Sequence, residues 1–316
     1  MELIVINSYG PMASSVVASI LEYFGYINLP IRKRNLEEYV VGKRKLNDNF
    51  FKNKTKEILR NLSESNLSGG YSVLDRNNNK LLKKIDLELI KKDLEIFNNQ
   101  KYSNVEDMYF ESMLIANKGT IYKKKIKNVV GAIELSTYIE KQDNKFLFEA
   151  YKKEFKKVKF INMNRDFSSW INSLLSQKIF ERNRSIIPNI VRLTSRKRDY
   201  DNYVKNSKLY EGLQINFNDI FLPKSYDTIK IIEKFISSNN NIDDYNGKMY
   251  DLYGSLRNFD SAFTKFDDNI NYLSYISKKI ISRLDESNFS LILDLAFQLT
   301  YTFDYLTAYK RVKTKI

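Results

Sequence analysis

The 316-residue chain contains no cysteine and no histidine. Without cysteine it forms no disulfide, holds no metal through thiolates and has no thiol nucleophile, a pattern typical of cytoplasmic proteins. Without histidine, imidazole-based zinc sites, histidine general bases and Ser-His-Asp triads are excluded. Any acid–base chemistry would therefore depend on Asp, Glu, Lys or Tyr.

The sequence also lacks a run of about 18 apolar residues, so we expect no membrane span. No basic region followed by an apolar core opens the chain, so we expect no secretory signal and a cytoplasmic location. Hydrophobic residues make up 43% of the chain. That fraction is enough for a sizeable core.

The net charge of this basic protein is +14, which favours anionic partners such as nucleotides, acidic glycans or nucleic acid. An AT-rich genome would also enrich Lys, Asn and Ile, so part of the charge has a purely compositional explanation. No recognised nucleic-acid-binding motif is present, so we do not expect a nucleic-acid partner.

A strand, a turn and a helix are predicted in the first 24 residues. Leu3 to Ile6 form an unbroken apolar run, as in a buried parallel strand, and turn formers follow from Asn7 to Pro11. Ser14 and Ser15 then open a helix with apolar residues at helical spacing. A helix N-terminus after such a loop points backbone N–H groups at an anion, and the two serine hydroxyls add donors. An ordinary first βα turn is the alternative, since Ser14 stands where a Walker A loop has its lysine.

Strands and helices alternate along the remaining chain, which predicts an α/β fold with a parallel sheet. The predicted strands are 128–135, 158–163 and 213–217, and the predicted helices are 50–62, 80–98, 145–156, one from about residue 168, and 225–237. Residues 31–45 are predicted to be irregular. The polar stretch 237–241 is the best linker candidate, and two long helices are predicted at 269–284 and 288–309.

A second informative stretch runs from Lys159 to Ser173. Arg165 follows a predicted strand and would face the same sheet edge as the first loop. Ser173 comes eight residues later, about two helical turns on. An arginine there can grip a phosphate through two hydrogen bonds, and the serine can add a third. The alternative is that Arg165 pairs with its neighbour Asp166.

Lysines cluster between the predicted helix 80–98 and the predicted strand 128–135, at positions 118, 123, 124, 125 and 127. A lysine from this run could supply a cation to the anion site. The alternative is a solvated face, which is what such a charge run usually forms.

Together the two stretches resemble the sulfotransferase family that uses 3′-phosphoadenosine-5′-phosphosulfate (PAPS). Its members have a strand, a loop of the kind Pro-Arg/Lys-Ser-Gly-Thr-Thr/Ser and a helix, which hold the 5′ phosphosulfate. A later strand ends in an Arg-Asp-Pro-like turn with a serine eight residues beyond the arginine, and these hold the 3′ phosphate. Ser14 and Ser15 match the Thr-Thr/Ser pair, Ala13 stands at the glycine, and Arg165 and Ser173 match the second element. The resemblance covers about residues 1–236, including a looser likeness at 213–222.

The sequence departs from the family pattern at several positions. Pro11 stands where the family has its catalytic Arg or Lys, Met12 replaces the Ser, and Phe167 replaces the Pro of the second turn. The family base is often a histidine, although some members use a glutamate. Glu134, near the end of the second core strand, is the best-placed substitute.

The resemblance implies a three-layer α/β sandwich with a central parallel sheet, P-loop NTPase-like and of the sulfotransferase type, with C-terminal helices. Residues 1–236 would form this domain and residues 242–316 a helical extension packed on it. PAPS would be the co-substrate, and its predicted site residues are Gly10, Met12, Ala13, Ser14, Ser15, Arg165 and Ser173. Glu134 would accept the proton of a hydroxyl on a glycan or small molecule, without a metal.

Two other functions fit parts of the sequence. A catalytically inactive relative that binds the nucleotide as an interaction protein would account for Pro11 and the missing histidine. A P-loop kinase would account for the strand–loop–helix, but the chain lacks the Gly-Lys-Ser/Thr that kinases of this class need.

Overall fold

The computed structural model describes residues 1–10, 12–29, 36–64, 84–121, 125–136, 144–167, 170, 196, 199–208, 211–221, 225–236, 249–250 and 256–257. Several sequence predictions concern residues outside these ranges. They are Pro11, Lys123, Lys124, Ser173, most of the helix from about residue 168, the linker at 237–241 and the two long helices at 269–284 and 288–309. They stay predictions.

A five-stranded parallel sheet forms the centre of the fold. Its strands are β1 (Glu2–Asn7), β2 (Tyr26–Asn28), β3 (Gly131–Ser136), β4 (Val158–Asn164) and β5 (Leu213–Asn216), in the order β2-β3-β1-β4-β5. The last residue of β1, Asn7, pairs with Ser136 of β3 and with Asn162 of β4. The predicted α/β class with a central parallel sheet is confirmed.

Eight helices with assigned ends accompany the sheet in the described part of the chain. They are α1 (Ser14–Tyr23), α2 (Leu36–Val40), α3 (Phe50–Glu64), α4 (Leu87–Asn99), α5 (Val105–Gly119), α6 (Asn144–Glu154), α7 (Phe217–Phe221) and α8 (Ser225–Ile236). Residues 199–207 are also helical. A two-stranded antiparallel pair, β6 (Met249–Tyr250) and β7 (Leu256–Arg257), completes the assigned elements.

Helices flank both faces of the sheet. Leu3 and Val5 of β1 pack into a hydrophobic cluster with buried residues of α2 to α6. Ile4 and Ile6 are also fully buried, and they point to the opposite face because side chains alternate along a strand. The apolar side of α1, with Val17 and Leu21, contacts the sheet but is not part of that first cluster. A strand covered on both faces explains why Leu3 to Ile6 read as one continuous apolar run.

Three sequence predictions about secondary structure were wrong. Residues 31–45 were predicted irregular, yet α2 lies within them. The helix predicted from residue 80 begins only at Leu87, because the Asp86 side chain caps it by accepting from the N–H groups of Glu88 and Leu89. Ile85, assigned to that helix from the sequence, instead forms a β-bridge with Thr120. The second core strand begins at Gly131 rather than residue 128 and ends at Ser136.

The chain divides into two compact units. The first consists of residues 1–8, 12–165 and 209–262 and contains the five-stranded sheet; the second consists of residues 9–11, 166–208 and 263–316. The predicted domain boundary between residues 236 and 242 falls outside the described residues and stays a prediction. Within the described ranges, no helix combines the length and apolar character that crossing a membrane requires.

Candidate functional site

The carboxyl ends of β1 and β4 lie side by side at one edge of the sheet. The chain leaves β1 toward β2 on one side and leaves β4 toward β5 on the other side. Neighbouring strands whose connections run in opposite directions form a topological switch point, which is where open α/β sheets bind ligands. The loop after Asn7 and Arg165 after Asn164 both follow from this pair of strands, so the two sequence-predicted segments emerge at the same edge.

The turn before α1 has an unusual backbone. Ala13 adopts a left-handed conformation with φ 62° and ψ 22°, and it caps α1 without a side-chain hydrogen bond. Its carbonyl accepts from the N–H groups of Val16 and Val17 at 2.9 and 3.3 Å. A non-glycine residue in this region costs about 1–2 kcal/mol. Such strain persists where the surrounding structure enforces it, often at functional sites.

The start of α1 presents the groups that an anion site needs. The backbone N–H groups of Ser14 and Ser15 come before the first N–H that the helix itself uses, and no acidic residue stands in the first turn. Ser14 is fully buried and Ser15 partly exposed. The positive end of the helix dipole adds to the attraction for negative charge. Met12, immediately before Ala13, is fully buried, so its side chain is part of the core.

Ser8 is a polar residue of this edge that sequence reasoning treated only as a turn former. It is fully buried, its N–H donates to the Ser136 carbonyl at 3.1 Å, and no described residue partners its hydroxyl. A buried hydroxyl without a partner costs free energy, so its presence at the end of β1 calls for an explanation. A bound polar ligand would provide one.

Arg165 follows β4 directly and is partly exposed. Its Cζ lies 3.6 Å above the ring centroid of Phe217, the first residue of α7. Asn164 before it donates to the Gln214 side chain of β5 at 2.9 Å. The Phe217 ring therefore supports the planar guanidinium at the sheet edge, and the Asn164–Gln214 hydrogen bond joins β4 to β5 just before it.

Glu134 lies two residues before the end of β3 and is only 6% exposed. It pairs with Val5, so its side chain points to the face covered by α5 and α6. The Tyr109 hydroxyl of α5 lies 2.9 Å from Glu134 Oε2 and 3.0 Å from the Ile133 carbonyl oxygen. The proposed base is thus held by a phenol inside the protein rather than at the open edge.

A second carboxylate, Glu37 of α2, lies beside Ser136, the last residue of β3. It was not singled out from the sequence. The Ser136 hydroxyl donates to Glu37 Oε1 at 2.6 Å. Burial raises the pKa of Glu37, and the Ser136 hydrogen bond partly offsets this. Burial raises the pKa of the Tyr151 hydroxyl, and the negative charges of Glu37 and Glu134 raise it further. Only its contact with Ser136, 99 positions away, shows that Glu37 lies at this edge of the sheet. The local sequence around Glu37 is that of an ordinary short helix.

Lysines of the predicted basic run have structural contacts where they are described. Lys118 pairs with Asp93 at 2.5 Å, and Lys125 donates to the Lys118 carbonyl at 3.1 Å. Lys127 is exposed. These contacts are those of a solvated face, and they identify no replacement for the cation missing at Pro11.

In the second unit, Gly10 and Tyr9 are packed against the only tryptophan of the chain. Trp170 Nε1 donates to the Tyr9 carbonyl at 2.9 Å, and the two rings stack with centroids 5.8 Å apart. Gly10 has φ +66°, and a Cβ there would lie 2.9 Å from Trp170 Nε1. Glycine is therefore required at position 10 by both backbone and space. Sequence reasoning assigned Gly10 to the turn and missed the role of Trp170.

The described residues include no group of three or more Asp or Glu side chains placed to hold a metal ion. The polar groups described at the carboxyl edge include backbone N–H groups, hydroxyls and the Arg165 guanidinium, which are donors of the kind that bind phosphate or sulfate.

Comparison with known proteins found no matching family model and no matching curated protein. Among solved structures, the sulfotransferase domain of the olefin synthase from Synechococcus PCC 7002 is similar, with 11% identity, a TM-score of 0.41, and 90% of this chain and 96% of that chain covered. The sulfotransferase domain from the curacin biosynthetic pathway is similar too, with 11% identity, a TM-score of 0.41, and 89% and 97% covered.

Proposed function

We propose that this protein is a sulfotransferase that moves a sulfuryl group from PAPS to a hydroxyl of a glycan or small molecule. The observation that carries the proposal is the position of the α1 N-terminus and Arg165 at the ends of adjacent parallel strands. A doubly phosphorylated adenosine has anionic groups at both its 3′ and 5′ positions, so it needs two separated anion sites. In this proposal the sheet edge would supply one such site at the end of each strand.

The α1 turn would hold the 5′ phosphosulfate. Backbone N–H groups of residues 12–15 and the hydroxyls of Ser14 and Ser15 would stabilise the charge that develops on the transferred group and on the leaving phosphate. The buried Ser8 hydroxyl, which has no partner among the described residues, fits this group as a further donor. Arg165 would hold the 3′ phosphate through charge-assisted hydrogen bonds. The same role for Ser173, which lies outside the described residues, stays a prediction.

The transfer itself would be a direct in-line displacement. The acceptor oxygen bonds to sulfur while the bond from sulfur to the bridging phosphate oxygen breaks. The electron pair leaves with adenosine 3′,5′-bisphosphate, and the acceptor proton passes to the Glu134 carboxylate. The Tyr109 hydroxyl, 2.9 Å from Glu134 Oε2, would orient that carboxylate.

Isothermal titration calorimetry with adenosine 3′,5′-bisphosphate tests the nucleotide site. We expect binding by the unaltered protein and a clear loss of affinity in Arg165→Ala. Arg44→Ala is the matched control, because Arg44 also stacks on a phenylalanine but lies on the loop after α2. No heat at high micromolar nucleotide would end the proposal.

A second candidate is a nucleotide-binding protein of the same fold without transferase activity. Two observations favour it: Pro11 replaces the cation of the family loop, and Glu134 is 6% exposed. A screen of hydroxyl acceptors with radiolabelled PAPS separates the two candidates. Transfer to any acceptor, lost in Glu134→Gln while bisphosphate binding persists, supports the enzyme; binding without transfer supports the second candidate.

A further inference from the structure

The Arg165 guanidinium stacks closely on the Phe217 ring. The Arg165 Cζ lies 3.6 Å from the ring centroid, well within the range of a cation–π interaction. Phe217 is 8% exposed, so its ring is fixed among neighbouring side chains. A partly exposed guanidinium therefore rests on a buried aromatic surface.

The strand register explains why the two side chains meet. β4 and β5 are parallel, and their last residues, Asn164 and Asn216, are paired. Arg165 follows Asn164 and Phe217 follows Asn216, so both residues leave the sheet at the same edge. The stack is thus set by the backbone, and any residue at 217 would lie beside Arg165.

We propose that Phe217 is a positioning residue that holds the Arg165 guanidinium in one orientation for a two-pronged contact with a phosphate monoester. The inference depends on the proposed function for the identity of that phosphate. All guanidinium N–H groups lie in the plane of the group, so a ring against its flat face does not compete with phosphate for them. Ordering the long side chain before binding lowers the entropy cost of gripping the ligand.

Binding of adenosine 3′,5′-bisphosphate to Phe217 variants is the first test. We expect Phe217→Leu to weaken binding about tenfold, because leucine preserves apolar contact but not the aromatic face. Phe217→Tyr preserves that face and should bind like the unaltered protein. Adenosine 5′-monophosphate, which lacks the 3′ phosphate, should lose no affinity in Phe217→Leu.

The chain offers a matched control for this substitution. Arg44 lies over the Phe50 ring, also 3.6 Å from its centroid, and forms ion pairs with Glu38 and Asp48. Phe50→Leu removes the same type of stack at a different place. It should leave bisphosphate affinity unchanged.

A double-mutant cycle distinguishes positioning from a general structural role. If Phe217 acts through Arg165, Phe217→Leu will cost no further affinity in an Arg165→Ala background. An equal loss in both backgrounds would overturn the proposal. Circular dichroism of each variant confirms that the compared proteins are folded.

A measurement without ligand separates this inference from the proposed function. The ¹⁵Nε resonance of Arg165 is identified as the one missing from Arg165→Lys, and its order parameter reports side-chain motion. We expect the order parameter to fall in Phe217→Leu and to be retained in Phe217→Tyr. An unchanged value in Phe217→Leu overturns the positioning role whatever the nucleotide does. A fall combined with no bisphosphate binding by the unaltered protein rejects the proposed function and retains the positioning of Arg165.

Discussion

Asn7 Nδ2 lies 3.4 Å from Asn162 Oδ1, so the last residue of β1 and its paired residue in β4 also face each other through their side chains. Both are buried, and Asn162 Nδ2 in turn donates to the Glu211 carbonyl at 3.1 Å. Side-chain amides in a buried strand need hydrogen bonds, because burying an amide without them costs free energy. This chain of contacts ties together the strands that carry the two halves of the candidate site.

Replacing Asn162 by leucine should therefore destabilise the protein. The Glu211 carbonyl loses its donor and Asn7 loses this contact, which we expect to lower the free energy of unfolding by about 1–3 kcal/mol. Urea denaturation measures the change. Asn164→Ala, on the same strand but with an exposed hydrogen bond, should change it by less than about 0.5 kcal/mol. Equal effects of the two substitutions would contradict this account.

Glycine at position 13 should stabilise the fold. Ala13→Gly removes the left-handed strain, which stabilises the folded protein by about 1–2 kcal/mol. Glycine also raises the conformational entropy of the unfolded chain, which lowers stability by about 0.4–1 kcal/mol. We expect a net gain of about 0.5–1 kcal/mol in a urea titration. Gly42→Ala is the matched control, because Gly42 has φ +72° and open space around its Cβ position. It should lose stability by a similar amount, and a loss on Ala13→Gly would show that position 13 is not strained.

Glu37 should make the stability of the protein depend on pH. Burial raises its pKa in the folded protein, so the native state binds a proton more tightly than the unfolded chain, whose glutamates titrate near about 4.3. The stabilisation that protonated Glu37 contributes is complete below the pKa of the unfolded chain. It is lost as the pH rises through the pKa of Glu37 in the folded protein. Glu37→Gln, which imitates the neutral acid, should lack this loss. Urea titrations across acidic to neutral pH should show the stability of the variant rising relative to the unaltered protein.

The sequence predicted the elements whose signal is local. β1 is an apolar run with turn formers after it, and α3 shows a clear apolar stripe. α5 was missed because its own buried residues, such as Met108, Tyr109 and Ser112, lie on most of its sides, so it has little amphipathic contrast. β2 has only three residues, which is too short for a periodic pattern.

The same distinction applies to the site. The positions of the α1 turn and Arg165 at the sheet edge could be predicted, because each stands at a recognisable boundary between elements. The partners that shape them could not: Glu37 meets Ser136 across 99 positions, and Trp170 meets Tyr9 across 161. Such contacts depend on strand order and register, which no local pattern in one sequence specifies.

In the second unit, the Tyr9 hydroxyl has two charged partners. Its hydroxyl donates to Asp199 Oδ2 at 3.1 Å and accepts from Arg196 Nη1 at 3.2 Å, while its ring stacks on Trp170. Burial raises the pKa of Tyr9, so the phenol stays neutral at physiological pH. Tyr9→Phe preserves the stack but removes both hydrogen bonds, and we expect it to cost about 1–3 kcal/mol because both partners are charged.

Fluorescence of Trp170, the single tryptophan, measures this change directly. It is fully buried, so its emission should be shielded from iodide in the folded protein and become quenchable on unfolding. Tyr9→Phe should move the urea midpoint of that transition downward while leaving the folded emission spectrum unchanged, because the ring stack persists. Tyr9→Leu, which also removes the stacked ring, should shift the folded spectrum and lower the midpoint further. A midpoint unchanged in Tyr9→Phe would show that the contacts with Asp199 and Arg196 contribute nothing to the stability of this unit.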